Sequence, residues 1–185
     1  MILYLYGPDS YRRQEKLKWF LEKFKAKHSG LTIERLDLSA DIDRLKDFVT
    51  SQSLFVNFKL GIIENAKEAD PKDLISLLNF VKNTKSTTLI ISEDQKLTKE
   101  YDFLLKDAFL AEHFEMPKGK ALYDFIKKEI AKRKLSLPIS IIESLAQQHG
   151  SDLWGLVNEI DKIVLGGTLE PYFQKENLFV LLNRL

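Results

Sequence analysis

From the start of the chain to about residue 115, short apolar runs alternate with longer segments of helical period, the pattern of βα units feeding a parallel sheet. Residues 2–6 (ILYLY) read as a buried strand. After the turn Gly7-Pro8-Asp9 a helix is expected, capped by Asp9 or Ser10, with Leu17, Phe20, Leu21 and Phe24 on one face. The same alternation predicts strands over 32–38, 58–64, 87–92 and 110–114. Between them lie helices carrying Ile42, Leu45, Phe48 and Val49, then Leu74, Leu77, Leu78 and Val81, then a shorter one over 100–107.

At Met116-Pro117-Lys118-Gly119 the pattern changes, and no convincing strand follows. Three or four helices are expected instead. Their apolar sets are Leu122, Phe125, Ile126 and Ile130; Ile141, Ile142, Leu145 and Ala146; and Leu153, Leu156, Val157, Ile160 and Ile163, with a fourth helix beginning near Gln174. The expected organisation is an α/β domain over 1–116 and a small all-helical domain over 117–185.

Composition narrows the class. With 44% apolar and 30% charged residues in 185, the chain is expected to pack one sizeable core or two small ones. Its 28 basic against 27 acidic side chains leave +1, so any nucleic-acid contact requires a local patch. Cysteine is absent, which removes disulfides, thiolate metal sites and a thiol nucleophile from consideration. No apolar run approaches a membrane span and no secretory leader is visible, so a soluble cytoplasmic protein is expected.

The N-terminal strand, glycine turn and helix are the setting of a phosphate-binding loop. Aligned on Gly7, however, Arg12, Arg13 and Gln14 stand where the motif needs Gly, Lys and Ser or Thr. Pro8 removes a backbone donor, and Asp9 puts negative charge where phosphate would sit. The location is present without the chemistry; the alternative of a nucleotide-binding protein rests on the location alone.

Other residues carry weaker signals. His28, His113 and His149 fall in separate segments without carboxylates at ligand spacing, so no metal site is expected. Glu93-Asp94 follows the fourth strand, at the sheet edge where open α/β folds place function, yet without a partner it is expected to be a solvated turn. Over 118–134, seven basic residues accompany two acidic ones and lie mostly opposite the apolar stripe. A nucleic-acid-binding helix is the alternative there to an ordinary solvated face.

Two apolar features do not fit a core stripe. Trp19 falls about 160° from its helix's apolar face, toward Arg12, Lys16 and Lys23, whose stems are expected to cover the ring. Ser53-Leu54-Phe55-Val56 puts three large apolar residues into a connector, where they cannot all face one core. Closing the core and plugging a partner's pocket are equally consistent with that segment.

Four stretches together resemble the delta subunit family of bacterial DNA polymerase III, the clamp-opening subunits of the clamp loader. They are LYLYGPDSYRRQEKL at the start, TSQSLFVNFKLGIIENA in the middle, TTLIIS, and HGSDLWGLVNEIDKIVL, in family order and spacing. The resemblance implies a degenerate P-loop (AAA+/RecA-like) domain that binds no nucleotide or other cofactor, followed by a helical lid. It also implies that Leu54 and Phe55, flanked by Ser53 and Val56, insert into a hydrophobic pocket of the β sliding clamp. Delta prime and gamma/tau loader subunits are the further implied partners, with DNA reached through the complex and no catalysis by the chain itself. The family's C-terminal collar is not recognisable before Leu185.

Overall fold

In the computed structural model, residues 1–40, 42–51 and 58–167 are described, and the chain divides into two compact units, Met1–Glu115 and Met116–Leu185. The first is a five-stranded sheet with helices on both faces. Its elements run β1 (Ile2–Tyr6), α1 (Ser10–Lys27), β2 (Leu31–Asp37), α2 (Ile42–Thr50), β3 (Phe58–Glu64), α3 (Pro71–Lys82), β4 (Thr87–Glu93), α4 (Leu104–Asp107) and β5 (Leu110–His113). All pairings are parallel, in the order β2-β3-β4-β1-β5, with Ile2 opposite Leu89 and Leu3 opposite Leu110.

The continuous apolar runs of β1, β3 and β4 follow from burial on both faces. Leu3, Leu5, Leu60, Ile62 and Ile90 point to one side, where Leu17 of α1 is buried and Phe20, Leu21 and Phe24 are partly buried. Ile2, Tyr4, Ile63, Leu89 and Ile91 point to the other, against Leu45, Phe48 and Val49 of α2 and Leu74, Leu78 and Val81 of α3. Gly61 lets α2 approach, because a Cβ there would lie 2.7 Å from Leu89 Cδ2 and 3.0 Å from Phe48 Cε1. The segment after β4 is tied to β1 by a 2.8 Å hydrogen bond from the Leu97 N–H to the Tyr4 hydroxyl, and burial pushes that phenol up to about 12.

The single helix expected over 100–107 is instead a 3₁₀ turn (Lys99–Tyr101) followed by the four-residue α4. Tyr101 and Asp102 bond back three residues, to Thr98 and Lys99, and the tighter pitch interrupts the α pattern.

The second unit contains α5 (Lys120–Lys132), α6 (Ile139–His149) and α7 (Leu153–Val164). The apolar stripes of the sequence are its core: Leu122, Phe125, Ile126 and Ile130 with Ile142, Leu145 and Ala146, and with Leu153, Leu156, Val157 and Ile160. Asp152 caps α7 by accepting the Gly155 N–H at 3.0 Å. The helix expected from Gln174 lies outside the described residues.

Candidate functional site

The carboxyl ends of β1 and β4 meet where Tyr6 lies opposite Glu93, and the turn into α1 begins there. Gly7 takes φ +123°, donates its N–H to the Glu93 carbonyl at 3.1 Å, and passes so close to Phe114 that a Cβ would lie 2.5 Å from its carbonyl oxygen. Only glycine meets both demands.

Beyond it, charged side chains of the turn bond to the turn itself. The buried Asp9 carboxylate caps α1, accepting the Arg12 N–H at 2.9 Å, and it also pairs with the Arg12 guanidinium. Arg12 continues to the Glu115 carbonyl. An anion approaching this helix N-terminus therefore meets a carboxylate already in place.

Arg13, at the position of the phosphate-loop lysine, is only 9% exposed and turns inward. Its Nη1 donates to the Gly7 carbonyl and, at 2.5 Å, to the Glu93 carbonyl. Burial lowers its pKa, opposed by the fields of Asp94, Glu93 and Asp9. Gln14 is half-buried on the following turn of α1. Thus Gly7, Arg12 and Arg13 are brought together, but as a bracing network rather than an open cradle.

Glu93 corrects the expectation of a solvated turn. It is 3% exposed, and its carboxylate accepts the Ala66 N–H at 2.6 Å, joining the end of β4 to the segment after β3. Burial raises its pKa, with the Ala66 hydrogen bond working in the opposite direction. Asp94 does face solvent, 3.4 Å from the Lys67 ammonium.

The remaining sequence signals are dispersed. His28 stacks on Phe24 and packs at a tilt against Phe58, His113 stacks on Tyr6, and His149 ends α6. No group of three histidine or acidic side chains that could hold a metal occurs among the described residues. Trp19 is 49% exposed, with the Lys16 and Lys23 ammonium groups 5.7 and 5.8 Å from its ring centroid, as its helical position suggested. On α5, part of the basic character is consumed internally: the buried Glu129 pairs with Lys132 at 2.6 Å and with Arg133 at 2.9 Å, while Arg133 also reaches Asp161 at 2.5 Å. That pairing raises the Arg133 pKa.

Ser53, Leu54, Phe55 and Val56 lie outside the described residues. The segment that contains them follows Ser51 and precedes Phe58, and a residue not singled out in the sequence links these flanks. The Lys59 ammonium donates to the Phe48 carbonyl at 2.7 Å, to Ser51 Oγ at 2.9 Å and to the Ser51 carbonyl. It thereby places positive charge at the C-terminal end of α2, and desolvation lowers its pKa.

The five-stranded parallel sheet, its helices and the following helical unit have an α/β fold that two solved proteins share. The DNA clamp loader delta protein of Bacillus subtilis superposes with a TM-score of 0.60 at 20% identity, covering 89% of this chain and 53% of that one. The RuvB Holliday junction branch migration motor of Thermotoga maritima superposes with a TM-score of 0.57 at 11% identity, covering 87% of this chain and 53% of that one. In sequence, 103 residues are 24% identical to the replication factor C large subunit of Nanoarchaeum equitans, covering 54% of this chain and 23% of that protein. No family model matches the sequence. The chain thus spans about half the length of the two solved proteins and less than a quarter of the curated relative. Among the described residues, no helix is long and apolar enough to cross a membrane.

Proposed function

We propose that the chain is a delta-type component of a bacterial clamp loader, which binds the β sliding clamp through Leu54 and Phe55 and favours its opened form without hydrolysing ATP. The observation that carries this reading is the fold shared with the Bacillus subtilis clamp loader delta protein across 89% of the chain. In the sequence, Ser53-Leu54-Phe55-Val56 follows α2 and precedes β3.

The state of the phosphate-loop position supports a non-catalytic role. A nucleotide would need free N–H groups and a free cation, whereas Asp9 caps α1 and Arg13 is committed to two carbonyls. The region over 1–116 then acts as an ATPase-type domain that has lost its nucleotide chemistry, and the helices after residue 117 act as its lid. Delta prime and gamma/tau subunits supply the ATP-driven work, and DNA is met through the assembled loader in the cytoplasm.

Opening follows from differential binding. A plug that fits the clamp better when one dimer interface is sprung shifts the clamp toward that state by its difference in affinity for the two forms. Pull-down with a β clamp tests the assignment. The native chain is expected to retain the clamp and the Leu54→Ala/Phe55→Ala variant to lose it; equal retention overturns the reading.

A further inference from the structure

The amino ends of the strands form the opposite edge of the sheet from the Gly7 turn, and a groove of about 510 Å³ runs along it. Met1 precedes β1, Phe58 begins β3, Lys85 and Ser86 precede β4, and Phe109 precedes β5, so four strands contribute to one lining. The C-terminal half of α1 forms the wall.

That lining is aromatic and cationic. Trp19, Phe20, Phe24, Phe58 and Phe109 supply ring surface, with Trp19 49% and Phe109 73% exposed. Lys23, Lys27 and Lys85 extend from the rim, and none of them is in an ion pair among the described residues. No carboxylate lines the groove among the described residues either. Large exposed rings beside unneutralised lysines are costly for a surface facing only water, and they complement an acidic partner carrying an apolar anchor.

Position selects the partner. Phe58 and Lys59 line the groove, and in the chain they come immediately after the segment holding Leu54 and Phe55. A protein gripping that segment is brought to the same edge of the sheet. Resting on the function proposed above, we infer that the groove is a second docking surface for the sliding clamp, receiving an acidic segment with an apolar side chain from the clamp face beside the Leu54-Phe55 socket. The apolar plug would give grip; the groove would add orientation and an ionic component that speeds encounter.

The test is a titration of the full chain with the β clamp at several salt concentrations. Lys23→Glu/Lys27→Glu/Lys85→Glu is expected to weaken binding by about tenfold and flatten its salt dependence, whereas the corresponding triple arginine variant keeps both. Trp19→Ala/Phe109→Ala is expected to weaken binding with the native salt slope retained. Far-ultraviolet circular dichroism of each variant checks that the exposed substitutions leave the fold intact. If these variants bind the clamp as the native chain does while Leu54→Ala/Phe55→Ala does not, the groove inference is wrong and the clamp assignment stands. A native chain that ignores the clamp overturns both. A single-stranded oligothymidine that binds the native chain and not the triple glutamate variant, with clamp affinity unchanged, reassigns the groove to nucleic acid.

Discussion

Arg13 Nη1 donates to the Glu93 carbonyl at 2.5 Å, joining the first turn of α1 to the carboxyl end of β4, and the same nitrogen reaches the Gly7 carbonyl. A side chain that a phosphate loop would extend toward its ligand here holds the loop closed. Arg13→Met leaves both carbonyls without this donor, and a loss of about 2–3 kcal/mol in urea denaturation is expected. A loss below about 0.5 kcal/mol would show that water replaces the guanidinium freely.

Restoring the motif residue does not restore the site. Arg13→Lys supplies the lysine, but Asp9 still caps α1 and Pro8 still lacks an N–H. Calorimetric titration of this variant with magnesium-ATP is expected to give no saturable heat. A saturable, magnesium-dependent isotherm would contradict the view that Asp9 blocks the helix N-terminus.

Glu93 makes stability pH-dependent. Its folded pKa lies above the unfolded glutamate value of about 4.3, chiefly through burial, so the folded protein holds the proton more tightly than the unfolded chain. The resulting stabilisation is full below the unfolded pKa and is lost as pH rises through the folded one. Glu93→Gln keeps an oxygen for the Ala66 N–H and removes the charge. Its stability relative to the native chain, followed by urea midpoints, is expected to rise as pH increases from the unfolded glutamate value through the raised folded pKa and then to level off; a difference that stays constant with pH contradicts this.

In the helical unit, Arg133 bridges the buried Glu129 and the exposed Asp161. Arg133→Met leaves Glu129 with Lys132, whose position is half-exposed, so the expected cost is about 2 kcal/mol, less than for a fully stranded buried charge. Adding Glu129→Gln is expected to recover part of that loss in a double-mutant cycle. Strictly additive losses would show that the pair does not interact.

Much of the sheet is legible in the sequence because its signals are local. Ile2 to Tyr6 and Thr87 to Ser92 are apolar or β-branched in unbroken runs, and Leu17, Leu45, Leu74 and Leu78 mark helix faces that are buried in the fold. The burial of Glu93 is not legible locally, because its partner, the Ala66 N–H, is 27 residues away and a carboxylate at a strand end looks alike whether buried or wet. The missing phosphate-loop chemistry was visible in Pro8, Asp9 and Arg13. The inward turn of Arg13 was not, because it depends on β4 lying beside β1. Lys59 gave no local sign of binding α2, since a lysine in a strand ordinarily faces solvent. The groove was hidden for a related reason: parallel topology gathers Met1, Phe58, Lys85 and Phe109 at one edge, whereas in sequence they lie far apart.

The proposed preference for an opened clamp is tested most directly by comparing the chain's affinity for the closed β dimer with that for a clamp variant held monomeric by a broken dimer interface. The monomer is expected to bind at least about tenfold more tightly, a difference of ~1.4 kcal/mol available to offset the strain of opening, and that advantage is expected to vanish in Leu54→Ala/Phe55→Ala. Equal affinity for the two clamp forms would contradict it.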